Sequence, residues 1–199
     1  MIQTGSAAYR VMVWFAVATG VFVVGAMFYE YVFTNYDKGE LHYRRGNLRL
    51  EDGRYREALV EFKDQLRLHP HDAAGHLGKG LALMGLARND EALAAIDHAI
   101  ALKPEFAAAF ANRGILHDRM GRSEEALGDY RKALQLDDTL ADGPGWITRF
   151  FRKQVQAPPT IRDRAVYLAE QLEKPASERI LRVPEMDAEQ RSYKVTGRP

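Results

Sequence analysis

The chain contains no cysteine, so disulfides, zinc–thiolate sites, iron–sulfur clusters and thiol nucleophiles are all excluded. It has almost no net charge: 28 Lys and Arg stand against 27 Asp and Glu, a formal +1. The balance is also local, because residues 1–38, 39–140 and 141–199 carry net charges of 0, −2 and +3. No segment has the basic excess with which nucleic-acid binders neutralise phosphates, so nucleic acid is not an expected partner. Catalytic signatures are missing too. There is no GxSxG, HExxH, Walker-type glycine loop or GxGxxG. Hydrophobic residues make up 46%, which excludes a disordered chain.

One long apolar run is present. Val11 to Phe33 reads VMVWFAVATGVFVVGAMFYEYVF, with Glu30 as its single charge. As a helix of ~1.5 Å rise per residue it spans roughly 34 Å, enough for a hydrocarbon core of ~30 Å. Tyr9 and Trp14 lie near one end and Tyr29, Tyr31 and Tyr36 near the other, as aromatic belts require. A transmembrane anchor over residues 11–34, after a short tail of residues 1–10, is the expectation. The competing reading is a cleaved signal peptide ending at Val24-Gly25-Ala26, but cleavage there leaves MFYEYVF as an apolar new terminus. Arg10 and the α-amine precede the span with no acid among the first ten residues, which favours a cytoplasmic N-terminus. Lys38, Arg44, Arg45 and Arg49 argue the other way, but they belong to a long domain, and long domains translocate largely regardless of charge. The C-terminal domain is therefore expected outside the cytoplasmic membrane. Ala16 and Gly20 form one small-xxx-small step within the span.

The middle of the chain repeats itself every 34 residues. Gly46, Gly80 and Gly114 fall in one column, and His42, His76 and Phe110 in another four residues earlier. Glu57/Glu91/Glu125, Ala58/Ala92/Ala126, Leu59/Leu93/Leu127 and Phe62/Ile96/Tyr130 come after them. Leu66/Ile100/Leu134, Leu68/Leu102/Leu136 and Pro70/Pro104/Asp138 close the unit. The columns describe two antiparallel helices per unit. Small Gly and Ala allow close approach, and bulky residues fill the space beside them. Asp52-Gly53-Arg54, Ala87-Arg88-Asn89-Asp90 and Gly121-Arg122-Ser123 mark the turns. Asn89 or Asp90, and Ser123 before Glu124 and Glu125, are the expected N-caps. Pro70 and Pro104 stop the second helices.

These residues resemble the tetratricopeptide repeat (TPR), whose pattern is matched by units 39–72, 73–106 and 107–140. The first unit departs most, with Arg45 and Arg49 where the family has an apolar and an aromatic residue. Asp138 replaces the last proline. The expected fold is all-α: a transmembrane helix, a three-repeat solenoid, a capping helix and a C-terminal extension. The cap is expected within residues 141–157, as a helix from Trp146 to Val155 after Asp142-Gly143-Pro144-Gly145. Within residues 158–199, Thr160 to Glu173 reads as an amphipathic helix with Ile161, Ala165, Leu168 and Leu172 on one side. A polar tail begins at Lys174.

The resemblance implies function on the concave surface of the first helices. By the repeat register the groove residues are Tyr43, Asn47 and Leu50, then Leu77, Leu81 and Met84, then Ala108, Asn112, Ile115 and Asp118. Asn47 matches one residue of the carboxylate clamp that chaperone-binding TPR domains use. Tyr43, Gly78, Ala108 and Asn112 occupy other clamp positions, which argues against that ligand. An apolar peptide or amphipathic helix suits this lining, supplied by a partner or in cis by the C-terminal extension. His69, His71, Asp72 and His76 are the only clustered metal-type ligands, but His76 belongs to a packing column and the others flank a turn. His98 and His117 also read as structural. Metal, cofactor and catalytic residues are therefore not expected. The expected role is a membrane-anchored scaffold or assembly factor, not an enzyme, by fold-level likeness in a bacterial inner membrane. The alternative is a permanent accessory subunit of an electron-transfer or envelope complex, with the span contacting other subunits.

Overall fold

The computed structural model describes residues 7–34, 37–142 and 159–183. Among them are eight α-helices and no strand. The chain divides into two compact units, Met1–Lys38 and Gly39–Pro199.

The first unit holds α1 (Ala7–Thr34), a helix of 28 residues. Its segment Ala7–Glu30 has a mean hydropathy of 2.2 and is long and apolar enough to cross a membrane. Every side chain from Ala7 to Glu30 is exposed. Thr19, a polar residue in this run, turns its hydroxyl back to the carbonyls of Phe15 (2.9 Å) and Ala16 (3.0 Å). That local bond satisfies the hydroxyl without water, the usual solution for threonine in an apolar helix.

The second unit contains three antiparallel pairs. They are α2 (Lys38–Glu51) with α3 (Tyr55–Leu68), α4 (Ala73–Gly85) with α5 (Asn89–Leu102), and α6 (Ala107–Arg119) with α7 (Ser123–Leu136). The glycine column explains the closeness of each pair. A Cβ on Gly46 would stand 2.8 Å from the Phe62 ring, on Gly80 2.6 Å from Ile96, and on Gly114 2.7 Å from Tyr130. The bulky residue twenty-fourth in each unit thus lies flat on the backbone of the eighth, as the 34-residue spacing implies. Ala58, Ala92 and Ala126 are fully buried where the second helix crosses.

The helix starts differ from expectation. Arg88 and Arg122, not Asn89, Asp90 or Ser123, stand at the N-caps, and no side chain caps either helix. The preceding helix ends carry the turn instead. Gly53, Ala87 and Gly121 all adopt positive φ (70°, 57° and 77°). Their amides donate to Leu50, Met84 and Asp118, while the amides of Arg54, Arg88 and Arg122 reach back to Arg49, Leu83 and His117. This double bond is a Schellman motif, which satisfies the terminal carbonyls and delivers the chain directly into the next helix. Asp72 does cap α4, accepting from the Ala74 amide at 3.0 Å while Gln65 donates to its other oxygen. Helices α3 and α5 end at Leu68 and Leu102, two residues before Pro70 and Pro104.

Beyond α7 a short 3₁₀ turn spans Asp138–Ala141 in place of the third proline. The helix expected from Trp146 to Val155 lies outside the described residues. The last helix, α8 (Ile161–Glu173), begins on a capping box: Asp163 N–H donates to Thr160 Oγ1 at 3.3 Å, and Thr160 N–H to Asp163 Oδ2 at 2.8 Å. Its apolar side packs on α7, much as α6 packs on α5, so α8 takes the place of a fourth repeat's first helix. Ile161, Ala165 and Leu168 join the common core there.

Candidate functional site: the face of the first helices

The residues assigned to the groove lie on α2, α4 and α6, which supply the first helix of each pair. Most are more enclosed than a bare groove lining. Leu77, Asn112 and Ile115 are fully buried, and Tyr43, Leu81, Met84, Ala108 and Asp118 are nearly so. Asn47 and Leu50 in the first repeat are half-buried and remain reachable. Tyr43 meets the Phe62 ring edge-on at 6.0 Å, a favoured aromatic geometry. Asn112 donates its amide to the Ala108 carbonyl at 2.7 Å, so one groove amide is spent within its own helix.

Asp118 is occupied from within the chain. Arg164 of α8 grips it with two bonds, Nε to Oδ2 at 2.6 Å and Nη2 to Oδ1 at 2.8 Å. The two side chains are only 3% and 4% exposed. Tyr130 donates its hydroxyl to the same carboxylate at 3.3 Å. The repeat register put Asp118 on α6 as a groove residue and did not single out Arg164, which occupies it. Two signals pointed to it: an arginine between Ile161, Ala165 and Leu168 on an otherwise apolar side, and an acid at a position filled by Leu50 and Met84 in the other repeats.

The chain after α8 folds back along it. Arg164 also donates to Leu181 O at 2.9 Å, Tyr167 to Ile180 O at 2.7 Å, and the Ile180 amide to Gln171 Oε1 at 3.0 Å. Arg182 then reaches Arg119 O at 2.6 Å, placing a cation at the negative C-terminal end of α6. This end of the first-helix face is therefore built partly by residues 164–182.

The histidines are mostly committed to packing. His42 bonds Glu61 at 2.6 Å, and His117 bonds Asp129 at 3.1 Å. Arg113 bridges Asp129 and Asp97, joining the second helices of two repeats; its bond to Asp129 holds its pKa well above the ordinary value. His76 donates Nε2–H to Pro70 O at 2.9 Å, and its ring centre lies 4.2 Å from that of His98. Burial holds the His76 pKa below its ordinary 6.5, and the charges of His98, Lys79 and His71 act in the same direction. The bond to Pro70 opposes them. A shallow cavity of about 320 Å³ lies beside this pair, lined by Lys79, Leu83 and Glu91 among others. His69 and His71 are exposed. Among the described residues no group of three or more His, Asp or Glu side chains is placed to hold a metal ion.

Two family models described as tetratricopeptide repeat match the chain, one over residues 49–112 and one over 107–140. No curated protein matches it. Among solved structures, the Yersinia enterocolitica type III secretion chaperone SycD, in complex with a peptide of the translocator YopD, is 16% identical. That likeness covers 71% of this chain and 99% of SycD at a TM-score of 0.55. The yeast Sti1 TPR2B domain, in a complex with an Hsp70 peptide, is 20% identical, covering 68% of this chain and 98% of the domain at 0.53. Helix pairs with a glycine pressed against a bulky partner, recurring every 34 residues, and both family matches lead to one conclusion: residues 49–140 of this chain are tetratricopeptide repeats.

Proposed function

We propose that this protein is a scaffold or assembly factor, held at a membrane by α1, that binds a peptide or amphipathic helix of a partner protein along the face of α2, α4 and α6. The observation that carries the reading is the first-helix face itself. It offers the half-exposed Asn47 and Leu50 at one end, beside Tyr43, Leu81 and Met84, which are nearly buried. Such a surface recognises an extended or helical segment through a few apolar anchors and an amide that reads its backbone. The solved structures of SycD and Sti1 each hold a peptide of another protein, which supports a peptide as the class of ligand. The buried Arg164–Asp118 pair makes the far end of the face a closed wall, so the ligand is expected to enter over the first and second repeats.

Helix α1 supports the membrane part of the proposal by its length and hydropathy. We place the repeats outside the cytoplasm of a bacterial inner membrane, where confinement near the bilayer raises the effective concentration towards membrane-embedded partners. A second reading, a permanent accessory subunit, rests on the length and hydropathy of Ala7–Glu30, which suit a span packed among the helices of other subunits.

Capture from solubilised membranes tests the groove. Because Leu81 and Met84 are buried, the informative variant is Asn47→Ala with Leu50→Glu, which changes reachable groove residues. The proposal predicts loss of the co-purifying partner with helicity unchanged. Retention of the partner by the folded variant removes the groove from the working surface, and in that case stoichiometric subunits that accompany α1 establish the second reading.

A further inference from the structure

The first repeat leaves open a face that the later repeats cover. On α6, Ala109 and Leu116 are fully buried, and on α4 so is Ala82. Their counterparts on α2 are Leu41, which is half-buried, and Leu48, which is 59% exposed. Arg44 and Arg45 beside them are exposed as well. At ~100° per residue, Leu41, Arg44, Arg45 and Leu48 form one stripe along α2.

The third repeat shows what covers such a stripe. Arg113, the counterpart of Arg45 two repeats on, donates to Asp97 of the preceding repeat at 2.7 Å. Four residues before that acid, Leu93 packs against the core. An arginine and a leucine three residues apart on a first helix thus lie against a helix with an apolar residue and an acid four apart. At the other end of the unit, α8 displays that same pair to solvent. Val166 is 53% exposed and Glu170, four residues on, is exposed. Asp163 and Glu173 lie exposed on the same stripe, so three acids and one base, Arg162, surround Val166. The open stripe of α2 carries Arg44 and Arg45 between Leu41 and Leu48; Arg44 already pairs with Glu40 at 2.9 Å, which leaves Arg45 as the cation beside Leu48.

We propose that copies of this chain associate head to tail, the outer stripe of α8 on one copy lying against the open stripe of α2 on the next. Val166 meets Leu48 and Glu170 meets Arg45, with the helices antiparallel. The contact uses a different surface on each copy, so each addition leaves a free end and the assembly can extend. The inference stands apart from the groove and the anchor, because neither stripe belongs to them. Exposed ion pairs contribute little individually, so the association is weak and salt-sensitive, and grows where copies are concentrated.

The absence of cysteine makes the test clean. Full chains bearing Leu48→Cys and Val166→Cys are mixed and mildly oxidised. The expected result is a disulfide-linked dimer in the mixture, little linkage in either variant alone, and a ladder in a chain carrying both. Adding Arg45→Glu to the Leu48→Cys chain sets acid against acid and is expected to cut the yield about tenfold. Adding Glu170→Arg to its partner restores it. The idea is overturned if Leu48→Cys links to itself as readily as to Val166→Cys, if the mixture does not link, or if Arg45→Glu has no effect. As a check free of any substitution, sedimentation of the unaltered chain is expected to show species beyond the dimer that dissolve in high salt. A single salt-independent species overturns the proposal as well.

Discussion

Ala87 holds a left-handed backbone conformation that its counterparts Gly53 and Gly121 hold without a side chain. In this region a Cβ crowds the next carbonyl, at a cost of roughly 1–2 kcal/mol for an L residue. The Schellman bonds of Ala87 and Arg88 to Met84 and Leu83 keep it there, because the chain must reverse between α4 and α5 within three residues, Leu86, Ala87 and Arg88. Ala87→Gly relieves the strain, and part of the gain is lost to the greater freedom of glycine in the unfolded chain. The net effect expected is stabilisation by about 1 kcal/mol, measured as a higher urea midpoint at unchanged slope. Gly53→Ala and Gly121→Ala should move the midpoint the other way. A midpoint that falls on Ala87→Gly would show that the methyl contributes packing that outweighs its strain. At this scale the sequence was a partial guide. Asn89, Asp90 and Ser123 have the chemistry of N-caps, but the left-handed residue and arginine immediately before them already commit the chain to a Schellman turn, and the expected caps become first-turn residues.

Among elements, α8 is the one whose role changes most between sequence and structure. Its extent was legible, since Ile161, Ala165, Leu168 and Leu172 give a helical period, and the structure adds a capping box of Thr160 and Asp163 at its start. Its position was not, because an apolar stripe says that a helix packs and is silent on what it packs against. The repeats were legible for the opposite reason: at a fixed period each glycine names its own bulky partner. The groove residues could be placed on their helices by register, but their burial depends on neighbours that no column identifies. The Arg164–Asp118 pair orients α8, and its worth can be measured. Removing one partner strands a buried charge, so Arg164→Ala is expected to cost about 3–5 kcal/mol. The joint replacement Arg164→Met with Asp118→Leu removes both charges and is expected to cost far less. Thermal unfolding of the two variants side by side decides this. Equal losses would mean that the ion pair is incidental and α8 is held by Ile161, Ala165 and Leu168 alone.

For the whole molecule, everything functional depends on whether α1 stays with the repeats. A span and a signal sequence share length and hydropathy, so the 2.2 mean hydropathy of Ala7–Glu30 is compatible with both. Small residues at Val24-Gly25-Ala26 fit a peptidase, but a cut there leaves the apolar MFYEYVF as the new terminus. We therefore expect the chain recovered from membranes to retain its first residues, and the carbonate-washed membrane fraction to hold all of it. Intact-mass spectrometry reads the outcome directly. A mass matching a chain that begins at Met27 would make the repeats a released domain, with no confinement at a bilayer to raise their local concentration. A full-length mass keeps each repeat domain within reach of the membrane, where weak contacts between neighbouring copies and with partner peptides gain the most from proximity.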